Sequence, residues 1–315
     1  MPSAAHGHWW TIAPSLRGRL FPAQAGGESW STFVSPDVRD TTATADLRIA
    51  GRLCRSAQRG AEARDLYLIV HGLGGSADQP YMRDAAAAVA AIGQDSLRIS
   101  MRGAGHSGAD FYHAGLDADL NALLADPSLA DYARVFVIGF SLGGHIAMRL
   151  GLPGPRDPRI RAVVAICAPL DLGRNVDIMD EPSGWLYRRY VLDGLQDIHR
   201  RVHGHSPRFR KVREWDARVV VPRFGFDDAD HYYRSQSVGP RLRELELPTL
   251  YVATERDPMV PARTLEPHLR RAGDRVDVRW LRRGGHVGFP ARTDLGMPGA
   301  RGVYEQALAW CAKVG

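Results

Sequence analysis

Three side chains, Ser141, Asp257 and His286, follow one another along the chain in an order that suits acyl chemistry. Ser141 is the centre of Gly139-Phe140-Ser141-Leu142-Gly143, which closes an apolar run and precedes helix-forming residues. A serine hydroxyl is a poor nucleophile at neutral pH. It becomes a good one when a histidine takes its proton and a carboxylate holds that histidine in one tautomer. His286 sits in the glycine-flanked segment 282–290, and Asp257 sits in 255–261, where Pro258 and Pro261 stiffen the turn. A fourth segment, His-Gly-Leu-Gly-Gly-Ser at 71–76, lets backbone N–H groups point into a cavity without side chains in the way. The N–H of Leu73 and that of Leu142, next to the nucleophile at a helix start, are the donors expected to hold an oxyanion.

The serine pattern alone is weak. With 33 glycines in the chain, Gly-x-Ser-x-Gly arises by accident in roughly one such chain in six. Its company carries the argument. Apolar runs at 66–70, 96–100, 134–139, 161–167, 249–254 and 275–281 read as strands, and stretches such as 81–93 and 116–125 have helical period. Strand and helix in alternation predict an α/β fold with a mainly parallel sheet covered on both faces. In such a sheet, ligands bind beyond the carboxyl ends of the strands. The loop 71–76, Ser141, Asp257 and His286 each follow one of these predicted strands. Singly, Asp257 reads as a turn or cap residue and His286 as a solvated loop histidine. Glu255 and Asp228 are alternative acids, and His268, on a predicted helix, is an alternative base.

Residues 51–170 and 247–315 form the predicted core, and 171–246 is a cap inserted before the acid-bearing strand. Within the cap, Trp185, Leu186, Val191, Leu192 and Leu195 either face acyl chains or build a small core of the cap itself. The block 226–234 is read as docking the cap on the body, with a substrate-lining role for Tyr232 or Tyr233 as the second reading. Residues 1–50 read as an arm or leading strands, turning at Gly26 and Gly27.

The chain has 315 residues, 44% of them hydrophobic and 24% charged, and no apolar run long enough to span a bilayer. The start of the sequence lacks a charged segment followed by an apolar core and cleavage site, so a cytoplasmic location is expected. Cys54, Cys167 and Cys311 are too far apart and too few for a disulfide framework or zinc site, and are expected to be buried thiols. The net charge of +6 comes almost wholly from scattered arginine, Lys211 and Lys313 being the only lysines. Without a basic stripe or a recognisable module, nucleic-acid binding is excluded, while weak attraction to anionic lipid or acidic substrates stays open. His145, one turn after Ser141, either faces the pocket or packs. The pairs His6/His8 and His203/His205 fit no metal signature, and no metal is expected. A monomer or homodimer is the prior.

Taken together, "HWWTIAPSL" (8–16), "HGLGGSADQPYMR" (71–83), "YHAGLDADL" (112–120), "GFSLGGH" (139–145), "YRRYVLDGL" (187–195), "FGFDDADHYYRSQS" (224–237), "ERDPMVP" (255–261) and "GGHVGF" (284–289) resemble the YheT-like (ABHD1/ABHD3-type) branch of the α/β-hydrolase superfamily. The resemblance runs over nearly the whole chain. It implies the α/β-hydrolase fold and a serine esterase or lipase-like enzyme with Ser141, Asp257 and His286 as triad and no cofactor. "RGAGHSG" (102–108) departs from the branch's Arg-Gly-Cys-Ser-Gly type, and His145 stands where asparagine is common. Both departures bear on substrate choice rather than chemistry. Ser141 as the elbow residue argues against dehalogenase or epoxide-hydrolase chemistry, which needs a carboxylate there. An acyltransferase using the same triad, and a non-catalytic ligand-binding protein, are the two rival readings.

Overall fold

In a computed structural model of the chain, the described residues are 5–20, 23, 26–34, 47–56, 64–105, 107–108 and 110–315. Its strands are β1 (Glu28–Phe33), β2 (Arg48–Cys54), β3 (Arg64–Val70), β4 (Asp95–Ser100), β5 (Tyr132–Phe140), β6 (Ile160–Ile166), β7 (Thr249–Thr254) and β8 (Val276–Leu281). The helices are α1 (Ala5–Leu20), α2 (Pro80–Ala91), α3 (Asp117–Ala122), α4 (Leu142–Arg149), α5 (Leu172–Asp180), α6 (Trp185–His203), α7 (Val212–Trp215), α8 (Val221–Phe224), α9 (Ala229–Gln236), α10 (Ala262–Leu269) and α11 (Val303–Val314).

The eight strands form one sheet in the order β1-β2-β4-β3-β5-β6-β7-β8. β1 and β2 are antiparallel, and β2 meets β4 antiparallel, while every pair from β4 to β8 is parallel. Side chains in a strand alternate between faces, and the core divides accordingly. Leu66, Leu68, Val70, Val135 and Val137 pack in one apolar cluster, and Tyr67, Ile69, Phe136 and Ile138 in another on the opposite face. Burial on both faces is why β3 and β5 read as near-continuous apolar runs instead of alternating ones. The strand order reverses between β3 and β5: β4 lies on one side of β3, and the chain continues on the other from β5. The crevice at such a switch point is where an open α/β sheet holds its ligand.

Between β6 and β7 the chain runs through α5 to α9. Buried ion pairs tie this helical segment to the body. Arg223 Nε and Nη2 donate to Asp110 at 2.7 and 2.8 Å, and Arg102 reaches Asp119 at 2.7 and 2.6 Å and Asp110 at 3.3 Å. Of the five cap residues with two readings, Val191, Leu192 and Leu195 are buried in the core, while Trp185 and Leu186 are exposed. One helix thus divides its apolar side chains between two faces.

Residues 1–50, expected to be an arm or leading strands, supply β1 and the start of β2 but also the helix α1. Gly7, Pro14 and Gly18 weaken its intrinsic propensity. Docking contacts hold it instead: Gly18 lies against Pro80, and Gly7 against the carbonyl of Arg256. Cys167 and Cys311 are buried thiols, whereas Cys54, expected to be buried, is half-buried because β2 lies near the sheet edge. Among the described residues, no helix is long and apolar enough to cross a membrane.

Candidate active site

At the end of β5 the chain must turn from strand to helix within one residue. Ser141 makes that turn with φ 52° and ψ −123°. This conformation costs a non-glycine residue on the order of 1–3 kcal/mol. Its N–H donates to the Ile166 carbonyl at 2.8 Å, and its carbonyl accepts from Gly144 and His145, so neighbouring backbone holds the strain in place. Two glycines make room. A Cβ on Gly143 would collide with the His71 carbonyl, and one on Gly72 would lie 3.0 Å from the Ser141 Cβ. The loop after β3 is therefore pressed directly against the serine.

Between Gly72 and Gly75 the Leu73 N–H alone has no acceptor among the described residues. Gly72 N–H donates to the Tyr81 hydroxyl at 3.1 Å, Gly74 N–H to the Tyr112 hydroxyl at 2.7 Å, and Gly75 N–H to the Gly72 carbonyl at 3.1 Å. Neither the Leu73 N–H nor the Leu142 N–H is bonded to another described residue. His71 braces the loop. Its Nε2 accepts from Met101 N–H at 3.0 Å and its Nδ1 donates to the Gly72 carbonyl at 2.7 Å. Burial pushes its pKa down to about 4, so the imidazole stays neutral, as that pattern requires.

Beyond β7 and β8, Asp257 and His286 meet. Asp257 Oδ2 accepts from His286 Nδ1 at 2.8 Å, and both side chains are buried. The other oxygen, Oδ1, accepts from Met259 N–H at 2.8 Å and Val260 N–H at 2.9 Å, which fixes the carboxylate in the turn. The Nδ1 bond leaves Nε2 as the basic nitrogen. The Ser141 hydroxyl has no bond to His286 or to any other described residue; such bonds commonly tighten only when substrate is in place.

Three residues absent from the sequence-derived site surround this pair. Thr11 of α1 accepts from the His286 N–H at 2.8 Å and donates to the Gly7 carbonyl at 2.8 Å. The Tyr187 hydroxyl of α6 pairs with His8 Nδ1 at 2.6 Å, and burial with the nearby Asp257 carboxylate pushes the phenol up to about 12. Cys167, directly after β6, takes φ 51°, and burial followed by the Asp257 charge pushes its thiol well up. Cys167, Asp257 and His286 each bring one potential ligand atom within 4.8 Å of the others. Burial favours the protonated thiol, which donates to the Gly285 carbonyl at 3.7 Å, beside the bonded Asp257–His286 pair. Cys167 ended the predicted strand 161–167, much as Ser141 follows its own predicted strand, so its position was a readable signal. Thr11 and Tyr187 lay in the segments 8–16 and 187–195 that carry the family resemblance, but nothing in their spacing pointed to this site.

Among the described residues, only Ser141, Cys167 and Val287 combine a side chain with positive φ. All three lie at this one site. Strained backbone of this kind persists where surrounding structure over-determines it, and it concentrates at functional centres.

The other candidates lie elsewhere. His145 is fully buried, with Nδ1 2.8 Å from the Pro169 carbonyl and Nε2 2.9 Å from that of Gln236. It joins the elbow helix to the cap, and burial pushes its pKa down to about 4. The buried Tyr232 accepts from Ala114 N–H at 3.0 Å, which joins the helical segment between β6 and β7 to the body, whereas Tyr233 donates to Asp216 at 2.6 Å within that segment, so both hydroxyls are engaged. Glu255 is exposed, Asp228 caps α9 through His231 N–H, and His268 lies on α10 with Nε2 3.9 Å from Asp171. His203 and His205 flank the end of α6 beside His199. His6 accepts from the Trp10 indole at 3.2 Å. His106, in the departing segment 102–108, lies outside the described residues.

Comparison with known proteins agrees with this architecture. A family model described as the alpha/beta hydrolase fold matches residues 67–201. The chain is 27% identical over 252 residues to the putative esterase YheT of Escherichia coli (strain K12), covering 75% of this chain and 73% of that protein. It is 27% identical over 177 residues to human phospholipase ABHD3, covering 51% and 42%. To the monoacylglycerol lipase of Saccharomyces cerevisiae it is 24% identical over 221 residues, covering 63% and 49%. The chain thus spans less than half the length of these last two relatives. Among solved structures, the esterase Pf2001 of Pyrococcus furiosus superposes with a TM-score of 0.58 at 18% identity, covering 93% of this chain and 96% of that one. A 2,6-dihydroxy-pseudo-oxynicotine hydrolase superposes at 0.57 and 13% identity, covering 96% and 72%. These likenesses establish the fold.

Proposed function

The chain has the α/β-hydrolase fold and is related to its YheT-like branch, and from that premise we propose that it is a serine carboxylic-ester hydrolase acting through an acyl-enzyme on Ser141. The observation that carries the reading is the strained serine pressed against a loop in which the Leu73 N–H has no acceptor among the described residues, together with a buried Asp257–His286 pair. In this reading Ser141 Oγ attacks the acyl carbonyl carbon while His286 Nε2 takes its proton. The oxyanion is held by the N–H groups of Leu73 and Leu142, each worth about 3 kcal/mol at the transition state. Asp257 keeps His286 in the Nδ1–H tautomer and offsets the imidazolium charge. His286 then gives its proton to the departing alkoxide, and the alcohol leaves. Water attacks the acyl-enzyme with His286 as base, and the acid is released.

The substrate class is a small acyl ester or a lipid. Relatives named as an esterase, a phospholipase and a monoacylglycerol lipase support that choice. Acyl transfer is the second reading, supported by a relative named as a medium-chain fatty acid ethyl ester synthase/esterase in Saccharomyces cerevisiae, 23% identical over 267 residues. Both readings share the acyl-enzyme and differ in what intercepts it. The test is product analysis on p-nitrophenyl esters of increasing chain length, with and without an added alcohol. Free acid as main product in both conditions supports hydrolysis. Transfer to the alcohol with little free acid favours the transferase, and no p-nitrophenol release from any ester defeats both.

A further inference from the structure

Large apolar side chains left in water need a reason when they gather. Among the described residues nine are exposed, and seven of these lie on just two helices, α1 and the first turns of α6. On α1 they are Trp9, 64% exposed, then Ile12, Leu16 and Leu20, 74% exposed. At 3.6 residues per turn these four fall within an arc of about 80°. They form one stripe facing away from the body. On α6 they are Trp185, 56% exposed, with Leu186 and Tyr190.

The two helices meet beside the candidate site. The His8 and Tyr187 rings stack at 5.7 Å, joining α1 to α6, and Thr11 on α1 holds the His286 backbone. Farther along, Gly18 of α1 rests on Pro80 while Tyr190 of α6 donates to Gln79 at 3.3 Å, so both flank the start of α2. Gly194 of α6 packs against the Gly74 backbone of the oxyanion loop. The exposed stripe and its α6 counterpart therefore border the elements that carry Leu73 and His286.

We propose that this α1–α6 face docks the protein on an anionic lipid surface, with the candidate active site opening toward the layer. Tryptophan and tyrosine favour the boundary between headgroups and acyl chains, and a helix with one apolar stripe lies in that boundary plane. Charge selects the lipid. The chain carries +6, and the sequences of α1 and α6 together hold six arginines against two aspartates, exposed Arg17 on α1 and exposed Arg189, 3.9 Å from Asp193, on α6 among them. A surface of this composition fits a negatively charged bilayer. The proposal rests on the ester-hydrolase reading for the orientation of the site, but the docking face stands on its own residues.

The experiment uses Ser141→Ala protein, so that binding is measured without turnover. Flotation with vesicles of phosphatidylcholine containing about one part in four phosphatidylglycerol is compared with phosphatidylcholine alone. Binding that strengthens with the anionic lipid and weakens with salt is expected. The double variant Leu16→Ser/Trp185→Ser then loses binding about tenfold or more. In the Ser141 background the same two changes leave hydrolysis of a soluble short-chain ester as it was. Leu20→Ser alone, at the end of α1, weakens binding less and guards against loss of fold in the double variant. No vesicle binding, or undiminished binding by both variants, overturns the proposal. So does a dimer in light scattering that the substitutions dissolve, which would assign the face to a second copy of the chain. Failure of soluble-ester hydrolysis with docking intact would instead overturn the enzymatic reading alone.

Discussion

Thr11 stands 275 positions before the histidine that it holds, so Thr11→Val tests whether α1 is part of the catalytic machinery. The valine keeps the shape but removes the oxygen that accepts from the His286 N–H at 2.8 Å. His286 is buried, and water does not readily replace the lost partner. An unpaired buried N–H costs about 1–3 kcal/mol, which the loop relieves by shifting. At 1.36 kcal/mol per decade, a misplaced base lowers kcat/KM by about 5- to 150-fold if that cost falls on the transition state. The assay is steady-state hydrolysis of a soluble ester across pH, alongside urea unfolding. Thr11→Ser, which retains the hydroxyl, restores activity to within about twofold. Were Thr11→Val to match wild type in kcat/KM, or Thr11→Ser to fall as far as Thr11→Val, the positioning role would be refuted.

Two further outcomes follow from buried groups. His145 has its pKa lowered to about 4, so the folded state resists a proton that the unfolded chain takes up near 6.5. Its stabilising contribution is complete above pH 6.5 and is lost as pH falls toward 4, to a total of about 3 kcal/mol. His145→Asn should therefore lose less stability between pH 7 and 4.5 than wild type, as read from urea midpoints; an equal loss would contradict the assignment. Cys167 and Cys311 are buried with thiols pushed up, whereas Cys54 is half-buried. Iodoacetamide on the native protein should modify Cys54 and spare the other two, as peptide mass spectrometry would show. Early modification of Cys167 would mean that the cluster beside Asp257 opens readily.

How much of this was legible in the sequence depended on whether neighbours in space were signalled along the chain. β7 matches its predicted run of 249–254, and β3 to β6 and β8 differ from theirs by one or two residues at one or both ends. Strands buried on both faces write their apolar content continuously, which makes them easy to read. Because each parallel strand ends on the same edge of the sheet, locating strands also located the loop 71–76, Ser141, Asp257 and His286 on that edge. Thr11 was hidden for the opposite reason. Its helix contains Gly7, Pro14 and Gly18, and its partner lies at the far end of the chain. Trp185 and Val191 show a third case. Both are apolar residues of α6, and only the rotation of that helix against the body decides that one is exposed and the other buried.

In the proposed mechanism Ser141 is a nucleophile activated by the Asp257–His286 pair. Intact-mass measurement after treatment with a fluorophosphonate tests it most directly. A single adduct on wild type, mapped to Ser141, none on Ser141→Ala, and slow labelling of Asp257→Asn are expected. Wild type left unmodified, or Ser141→Ala labelled as fast as wild type, would contradict it.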